Sequence, residues 1–146
     1  MSNCNKGVKM KSIIRILKEN DIAPSMQRIK ILEYLKNYKT HPTADMIYQA
    51  LADEMPTLSK TTVYNTLKTF TEKGILMALS LFGNEIRYEY NTQPHIHFQC
   101  IKCDKIYDLY NSFDHYNNDL IDGHKITEYH INLKGVCKSC LEKVGD

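Results

Sequence analysis

Ser59-Lys-Thr-Thr-Val-Tyr-Asn-Thr-Leu-Lys-Thr-Phe-Thr-Glu-Lys-Gly74 is the stretch that decides the fold. A serine stands at its start, where a side-chain oxygen can cap free backbone N–H groups, and a glycine stands where a helix stops in the left-handed conformation. Wound at about 100° per residue, Val63, Leu67 and Phe70 fall on one side, which must face a core. Thr61, Asn65 and Lys68 fall opposite, with Lys60 and Tyr64 on the flank. This polar face suits a DNA major groove: Asn pairs with adenine edges, Thr and Tyr reach phosphate or a thymine methyl, and Lys neutralises phosphate charge. A solvated amphipathic helix has the same pattern, so the helix alone leaves both readings open.

Working towards the N-terminus, three more helices precede it. Lys9–Asn20 carries Ile13, Ile14, Ile16 and Leu17, and Asp21-Ile-Ala-Pro24 breaks it. Ser25 caps a second helix with Ile29, Leu32 and Leu35 on one face. His41-Pro42 is a break, and Thr43 caps a third helix through Leu51. Gln27 and Arg28, at the start of the second helix, are further candidate phosphate contacts. Towards the C-terminus the period changes. Leu76–Leu81 and Ile86–Tyr90 read as a two-stranded hairpin around Phe82-Gly83-Asn84-Glu85. Helices ending in a helix-turn-helix and followed by a hairpin predict a winged helix. Beyond it, His95–Cys100, Lys105–Tyr110 and Ile126–Leu133 read as extended, with a helix over Asp114–Ile121. The expected class is therefore α+β, with a winged helix-turn-helix domain over 1–90, a hinge at Asn91-Thr-Gln-Pro94, and an α/β domain over 95–146.

The bulk numbers agree. The 146 residues suffice for one domain or two small ones, and 42% hydrophobic with 25% charged residues is a globular composition. Net charge is only +2, but residues 1–90 carry 13 Lys+Arg against 9 Asp+Glu, and residues 91–146 carry 6 against 8. An excess of this sign places any phosphate partner on the N-terminal half. No apolar run reaches the length of a membrane span, and Met1-Ser-Asn-Cys-Asn-Lys-Gly-Val lacks the apolar core of a secretion signal. The expected location is the cytoplasm.

Two constellations carry metal chemistry. Cys100-Ile-Lys-Cys103 and Cys137-Lys-Ser-Cys140 are two C-x2-C pairs, each able to bite a tetrahedral ion from a tight turn. Together they form a closed thiolate site, which is structural because no coordination position remains for a substrate. Disulfides are disfavoured in the cytosol, and a redox C-x2-C would occur once. Cys4 stands apart and is given no role. The second constellation is His95-Ile-His97, whose alternate positions point to one side of a strand. Glu89, Asp108 and His41 are further nitrogen and oxygen donors nearby in the reading. Such a mixed set suits Fe(II), Mn(II), Zn(II), Co(II) or Ni(II). Two alternating histidines also occur as plain polar surface, and His115, His124 and His130 read as surface residues.

In order and spacing, His41-Pro-Thr-Ala-Asp-Met-Ile-Tyr48, Ser59–Leu67, Gly74-Ile-Leu76, Arg87-Tyr-Glu-Tyr90, His95-Ile-His97 and the cysteine pairs resemble the ferric uptake regulator (Fur) superfamily over nearly the whole chain. The resemblance implies a homodimeric repressor in which the winged helix binds an inverted-repeat operator and the α/β domain makes the dimer. It implies structural Zn(II) at Cys100, Cys103, Cys137 and Cys140, and a regulatory Fe(II) or Mn(II), with Zn(II) possible in vitro, at His41, Glu89, His95, His97 and Asp108. It makes Ser59–Lys73 the DNA reader, with Lys60, Thr61, Tyr64, Asn65, Lys68 and Arg28 as contacts. It implies no membrane and no small organic substrate.

The pattern is closest to the peroxide-stress regulators, through His-Pro-Thr-Ala-Asp, Thr-Val-Tyr-Asn and Asp108; in such proteins Fe(II) drives oxidation of a ligand histidine, here His41 or His95. Glu89 points instead to iron sensing, since peroxide sensors usually carry Asp there. Pro94 and Ile96 stand where many iron sensors have extra ligands, so that additional site is expected to be absent or altered. From other classes, a metal hydrolase built on the mixed site lacks an H-E-x-x-H helix or a nucleophile elbow, and a zinc-stapled protein-interaction module would never touch DNA. The expectation is a regulator, not an enzyme.

Overall fold

A computed structural model of the chain describes residues 3–80, 83, 85–90, 95–110, 120–127 and 130–144. These divide into two compact units, Met1–Thr92 and Gln93–Asp146. The expected hinge, Asn91 to Pro94, lies outside the described residues.

The first unit is four helices and a hairpin: α1 (Asn3–Glu19), α2 (Met26–Asn37), α3 (Ala44–Ala52), α4 (Lys60–Glu72), β1 (Met77–Ser80) and β2 (Ile86–Glu89). Its boundaries follow from local chemistry. Ser25, Thr43 and Ser59 each accept a backbone N–H from three residues on, those of Arg28, Met46 and Thr62. Asp21 turns the chain after α1 with φ +57°, and Gly74 ends α4 with φ +76°. The strands pair antiparallel, Met77 with Glu89 through Ser80 with Ile86. A single aliphatic core joins the helices, with Leu17, Ile31, Leu32, Ile47, Val63, Leu67 and Phe70 inaccessible to solvent. Of the apolar faces read from the sequence, Ile13, Leu17, Ile29, Leu32, Leu35, Val63, Leu67 and Phe70 are buried and Ile14 and Ile16 are partly so, while Ile31 and Ile47 join the core without having been singled out. The first helix begins at Asn3, six residues before the expected start at Lys9, because helix continues through the polar turns preceding the apolar stripe.

The second unit is a three-stranded sheet in the order β4-β3-β7, a separate two-stranded ribbon β5-β6, and a short helix. Its elements are β3 (Ile96–Cys100), β4 (Ile106–Leu109), β5 (Leu120–Ile121), β6 (His124–Lys125), β7 (Ile131–Gly135) and α5 (Lys138–Val144). β3 runs antiparallel to β4 and parallel to β7, pairing Cys100 with Gly135. Gly135 lets the strands pack closely there: a Cβ would sit 3.3 Å from the Phe98 ring, which would have to give by a few tenths of an ångström.

Two expectations are corrected. Of the helix read over Asp114–Ile121, residues 114–119 lie outside the described residues, and Leu120-Ile121 are strand. The physical reason is the next dipeptide: Asp122 and Gly123 take φ +50° and +83°, the two-residue turn that closes a tight hairpin onto His124-Lys125. The strand read over Ile126–Leu133 begins instead at Ile131 and runs to Gly135, set by its pairing with β3. No helix among the described residues is long and apolar enough to cross a membrane.

Candidate metal centres and nucleic-acid interface

The four-cysteine cluster lies wholly in the second unit. Cys100 ends β3, and the chain turns at once: the Asp104 N–H donates to the Cys100 carbonyl at 3.0 Å, with Asp104 at φ +59°. That turn returns Cys103. Parallel pairing of β3 with β7 delivers Cys137 just past Gly135, and α5 carries Cys140 one turn on. The four sulfurs lie within 4.8 Å of one another, with Cys103 and Cys137 3.8 Å apart. A tetrahedral ZnS4 unit with bonds of about 2.3 Å has sulfur–sulfur edges of about 3.8 Å. The cluster therefore has the donor set and spacing of a structural zinc site.

Its electrostatics show why a cation belongs there. Burial works against the Cys100 thiolate, yet the backbone N–H groups of Cys137, Cys103 and Lys102 hold its pKa at about 6. The Cys137 and Lys102 amides lie 3.3 and 3.4 Å from its sulfur. Cys137 is lowered first by a hydrogen bond from the Tyr107 hydroxyl, and the same bond, followed by burial, pushes Tyr107 up to about 12. Cys140, hydrogen-bonded to Cys137 and buried, is pushed up to about 12. Four thiols this close cannot all ionise on backbone dipoles alone; a divalent ion lets them. Tyr107 was not singled out from sequence. Its only signal was its place one residue before Asp108, on the opposite face of the strand.

The nitrogen and oxygen donors occur as two sets. In the first unit, His41 and Glu89 are both buried, with His41 Nε2 3.3 Å from Glu89 Oε1. His41 sits in the left-handed region at φ +51°, directly before Pro42. In the second unit, His95 Nε2 lies 2.9 Å from His97 Nε2 and 3.4 Å from Asp108 Oδ1, and His97 Nε2 lies 3.7 Å from the same oxygen. The register explains this: His97 pairs with Asp108 across β3 and β4, and His95 shares their face two residues back. For bonds of about 2.1 Å, donor–donor edges are about 3.0 Å in an octahedron and about 3.4 Å in a tetrahedron. With separations of 2.9, 3.4 and 3.7 Å, the three groups have the chemistry to converge on one ion, without matching a single ideal geometry.

The polar face of α4 is as read: Thr61, Tyr64, Asn65 and Lys68 are exposed. Lys60 is exposed too, but its ammonium stands 3.9 Å from Asp45 and 5.7 Å from the Tyr48 ring centre. Arg28 is partly covered and donates to the Ala23 carbonyl at 2.6 Å. Two grooves flank the helix. One, towards α2, is lined by Ser25, Gln27, Arg28, Thr62 and Asn65 among others. The other, towards the hairpin, is lined by Tyr64, Lys68, Ala78 and Tyr88 among others. His124 and His130 are exposed, as read; His115 lies outside the described residues.

A family model described as the ferric uptake regulator family matches residues 19–135. The chain is 36% identical over 138 residues to the peroxide operon regulator of Bacillus subtilis (strain 168), covering 92% of this chain and 95% of that one. It is 35% identical over 139 residues to the peroxide-responsive repressor PerR of Staphylococcus aureus (strain Mu50 / ATCC 700699), covering 92% and 93%. Its fold matches that of the Helicobacter pylori ferric uptake regulator with a TM-score of 0.74 at 21% identity, over 90% of this chain and 93% of that one.

Proposed function

The chain belongs to the ferric uptake regulator family of metal-dependent transcriptional regulators, and from that premise we propose that it is a peroxide-responsive, homodimeric repressor of inverted-repeat operators. The observation that carries the proposal is the donor set His95, His97 and Asp108, gathered within 3.7 Å on one sheet face, in a chain over a third identical to a peroxide operon regulator. In this reading Zn(II) at Cys100, Cys103, Cys137 and Cys140 is structural. His41 and Glu89 of the first unit, with His95, His97 and Asp108 of the second, would hold Fe(II) or Mn(II). Their mixed imidazole and carboxylate chemistry supports a borderline divalent ion over Mg(II) or Ca(II).

The chain's own residues then do three things. His41 and Glu89, fixed at the base of the hairpin, tie the DNA-reading unit to the ion. His95, His97 and Asp108 tie it to the sheet. Together they set the angle between the units, so that Thr61, Tyr64, Asn65 and Lys68 of two protomers enter major grooves about 34–36 Å apart, with Lys60 and Arg28 on phosphates. Fe(II), when bound, would supply the electron that cleaves the peroxide O–O bond, with peroxide as the two-electron oxidant: one oxygen ends on an adjacent imidazole and the other leaves as water. His41 or His95 is the imidazole exposed to that damage. Losing one as a ligand releases the clamp, and only a fraction of molecules then holds the DNA-competent angle.

The test is protein purified without oxygen, analysed for metal, then treated with Fe(II) and peroxide. Gain of one oxygen atom on the His41 or His95 peptide, with loss of operator binding in a gel shift, is the expected result. Metal-dependent operator binding without that oxidation favours the second reading, an iron sensor, which Glu89 supports. Metal binding with no operator binding defeats both.

A further inference from the structure

Within the first unit, the segment that carries His41 is clipped to the strand that carries Glu89. The Tyr88 N–H donates to the Pro42 carbonyl at 2.9 Å, and Thr43 forms an antiparallel bridge with Arg87. Arg87 adds a third link: its Nη1 donates to the His41 carbonyl at 3.2 Å. The same guanidinium nitrogen lies 3.9 Å from Met46 Sδ on α3, and Nη2 lies 3.9 Å from Glu85 at the head of β2. Arg87 is therefore laid along the protein, its side chain only 24% exposed, and not extended into solvent.

The His41 backbone explains the need for it. A non-glycine residue at φ +51° is strained, and it stands before a proline, which restricts it further. Such a conformation persists only where its surroundings over-determine it. A charged, forked donor on the His41 carbonyl is one such determinant, because hydrogen bonds from ionised donors are the strong ones. The left-handed turn in its turn aims the His41 imidazole at Glu89, 3.3 Å away.

We propose that Arg87 is a positioning residue that locks His41 for metal binding and thereby makes the β1–β2 hairpin a direct reader of metal occupancy. The proposal rests on the metal reading above and adds a route inside the DNA-binding unit. Ordering the His41–Glu89 pair draws residues 41–43 and 87–89 together, and with them the α3 cap at one end and the hairpin at the other. Coupling is reciprocal, so a loosened hairpin must also weaken metal binding.

The test uses full-length, zinc-loaded protein with Mn(II) as the probe. Mn(II) affinity is measured by electron paramagnetic resonance, and amide hydrogen exchange is followed in the peptide spanning Tyr88. In the wild-type protein Mn(II) should slow exchange at that peptide. R87M should lose that protection and bind Mn(II) about ten-fold more weakly or worse, as is usual when a partner of a metal ligand is removed. R87K, which keeps one charged donor, should recover part of both. Unchanged zinc content and circular dichroism exclude unfolding as the cause. Should R87M not fold, the wild-type exchange measurement and R87K still decide. Wild-type Mn(II) affinity in R87M and R87K overturns the proposal, as does Mn(II) binding without protection at Tyr88. A loss of metal-free DNA affinity at unchanged Mn(II) affinity also overturns it, by showing that Arg87 serves phosphate. Wild-type protein that binds no Mn(II) sinks the metal reading itself, a different result from any of these.

Discussion

The two units solve the same problem by opposite means. The N-terminal unit buries Leu17, Ile31, Leu32, Leu35, Ile47, Val63, Leu67 and Phe70 in one aliphatic core beneath four helices. The C-terminal unit buries Cys100, Cys137 and Cys140, with Phe98, Tyr107 and Val136 partly covered around them, and apart from these Ile96, His95 and His97 on β3 and just before it. A unit of that size hides little apolar surface to set against its chain entropy, so its stability on burial alone is marginal. Its thiols sit where a larger domain would place leucines. The first unit holds together by hydrophobic burial, whereas the second carries at its centre a thiol cluster consistent with structural zinc, whose binding would add directly to its folding energy.

The harshest way to break this comparison is to remove the zinc. Cys100→Ser should leave the protein without zinc and unfold the second unit, since structural zinc supplies about 10 kcal/mol or more to small domains. The helices of the first unit should persist, which peptide-resolved hydrogen exchange checks. Protection retained in β3 and β7 without zinc would show that the sheet has a core of its own. The converse experiment comes next in size. Phe70→Ala, at a site with no solvent exposure, should destabilise the first unit by about 3–5 kcal/mol in denaturant unfolding while zinc stoichiometry stays at wild type.

Tyr107→Phe sharpens the contrast more finely. It keeps the ring against the cysteines and deletes only the hydroxyl that donates to Cys137. Chelator competition should show zinc held about 10- to 100-fold more weakly, and Co(II)-substituted protein should show a shifted thiolate charge-transfer band. The metal-free protein carries a pH signature with two signs. Cys100, lowered to about 6, contributes stability that is complete above the ordinary thiol pKa of 9.0 and lost as pH falls towards 6. Cys140, raised to about 12, contributes stability that is complete below 9.0 and lost as pH rises towards 12. Whatever residual structure the second unit keeps without zinc should therefore be greatest near the thiol pKa, read as the hydrogen-exchange protection left in β3 and β7 of a chelator-treated sample across that range. The smallest effect belongs to the first unit. Ser59→Ala removes the cap on Thr62 N–H and should cost about 1 kcal/mol in thermal or denaturant unfolding, with zinc content unaltered.

The helices of the first unit were legible because their rules are local. A cap oxygen acts three residues away and an apolar stripe repeats every three or four, so Ser25, Thr43, Ser59 and Gly74 mark the same boundaries in the sequence and in the fold. The cysteine pairs were legible for the same reason, each bite being a single turn. Where the reading failed, at Leu120-Ile121 and at the start of β7, apolar periodicity outweighed an Asp-Gly turn and a strand boundary set by a distant partner. Tertiary structure alone brings Cys137 to Cys100, through parallel pairing of strands more than thirty residues apart in sequence. It alone puts the Tyr107 hydroxyl on a thiolate and Arg87 on the carbonyl of a left-handed histidine. Such contacts depend on which backbone runs beside which, a long-range choice that no spacing along one chain records.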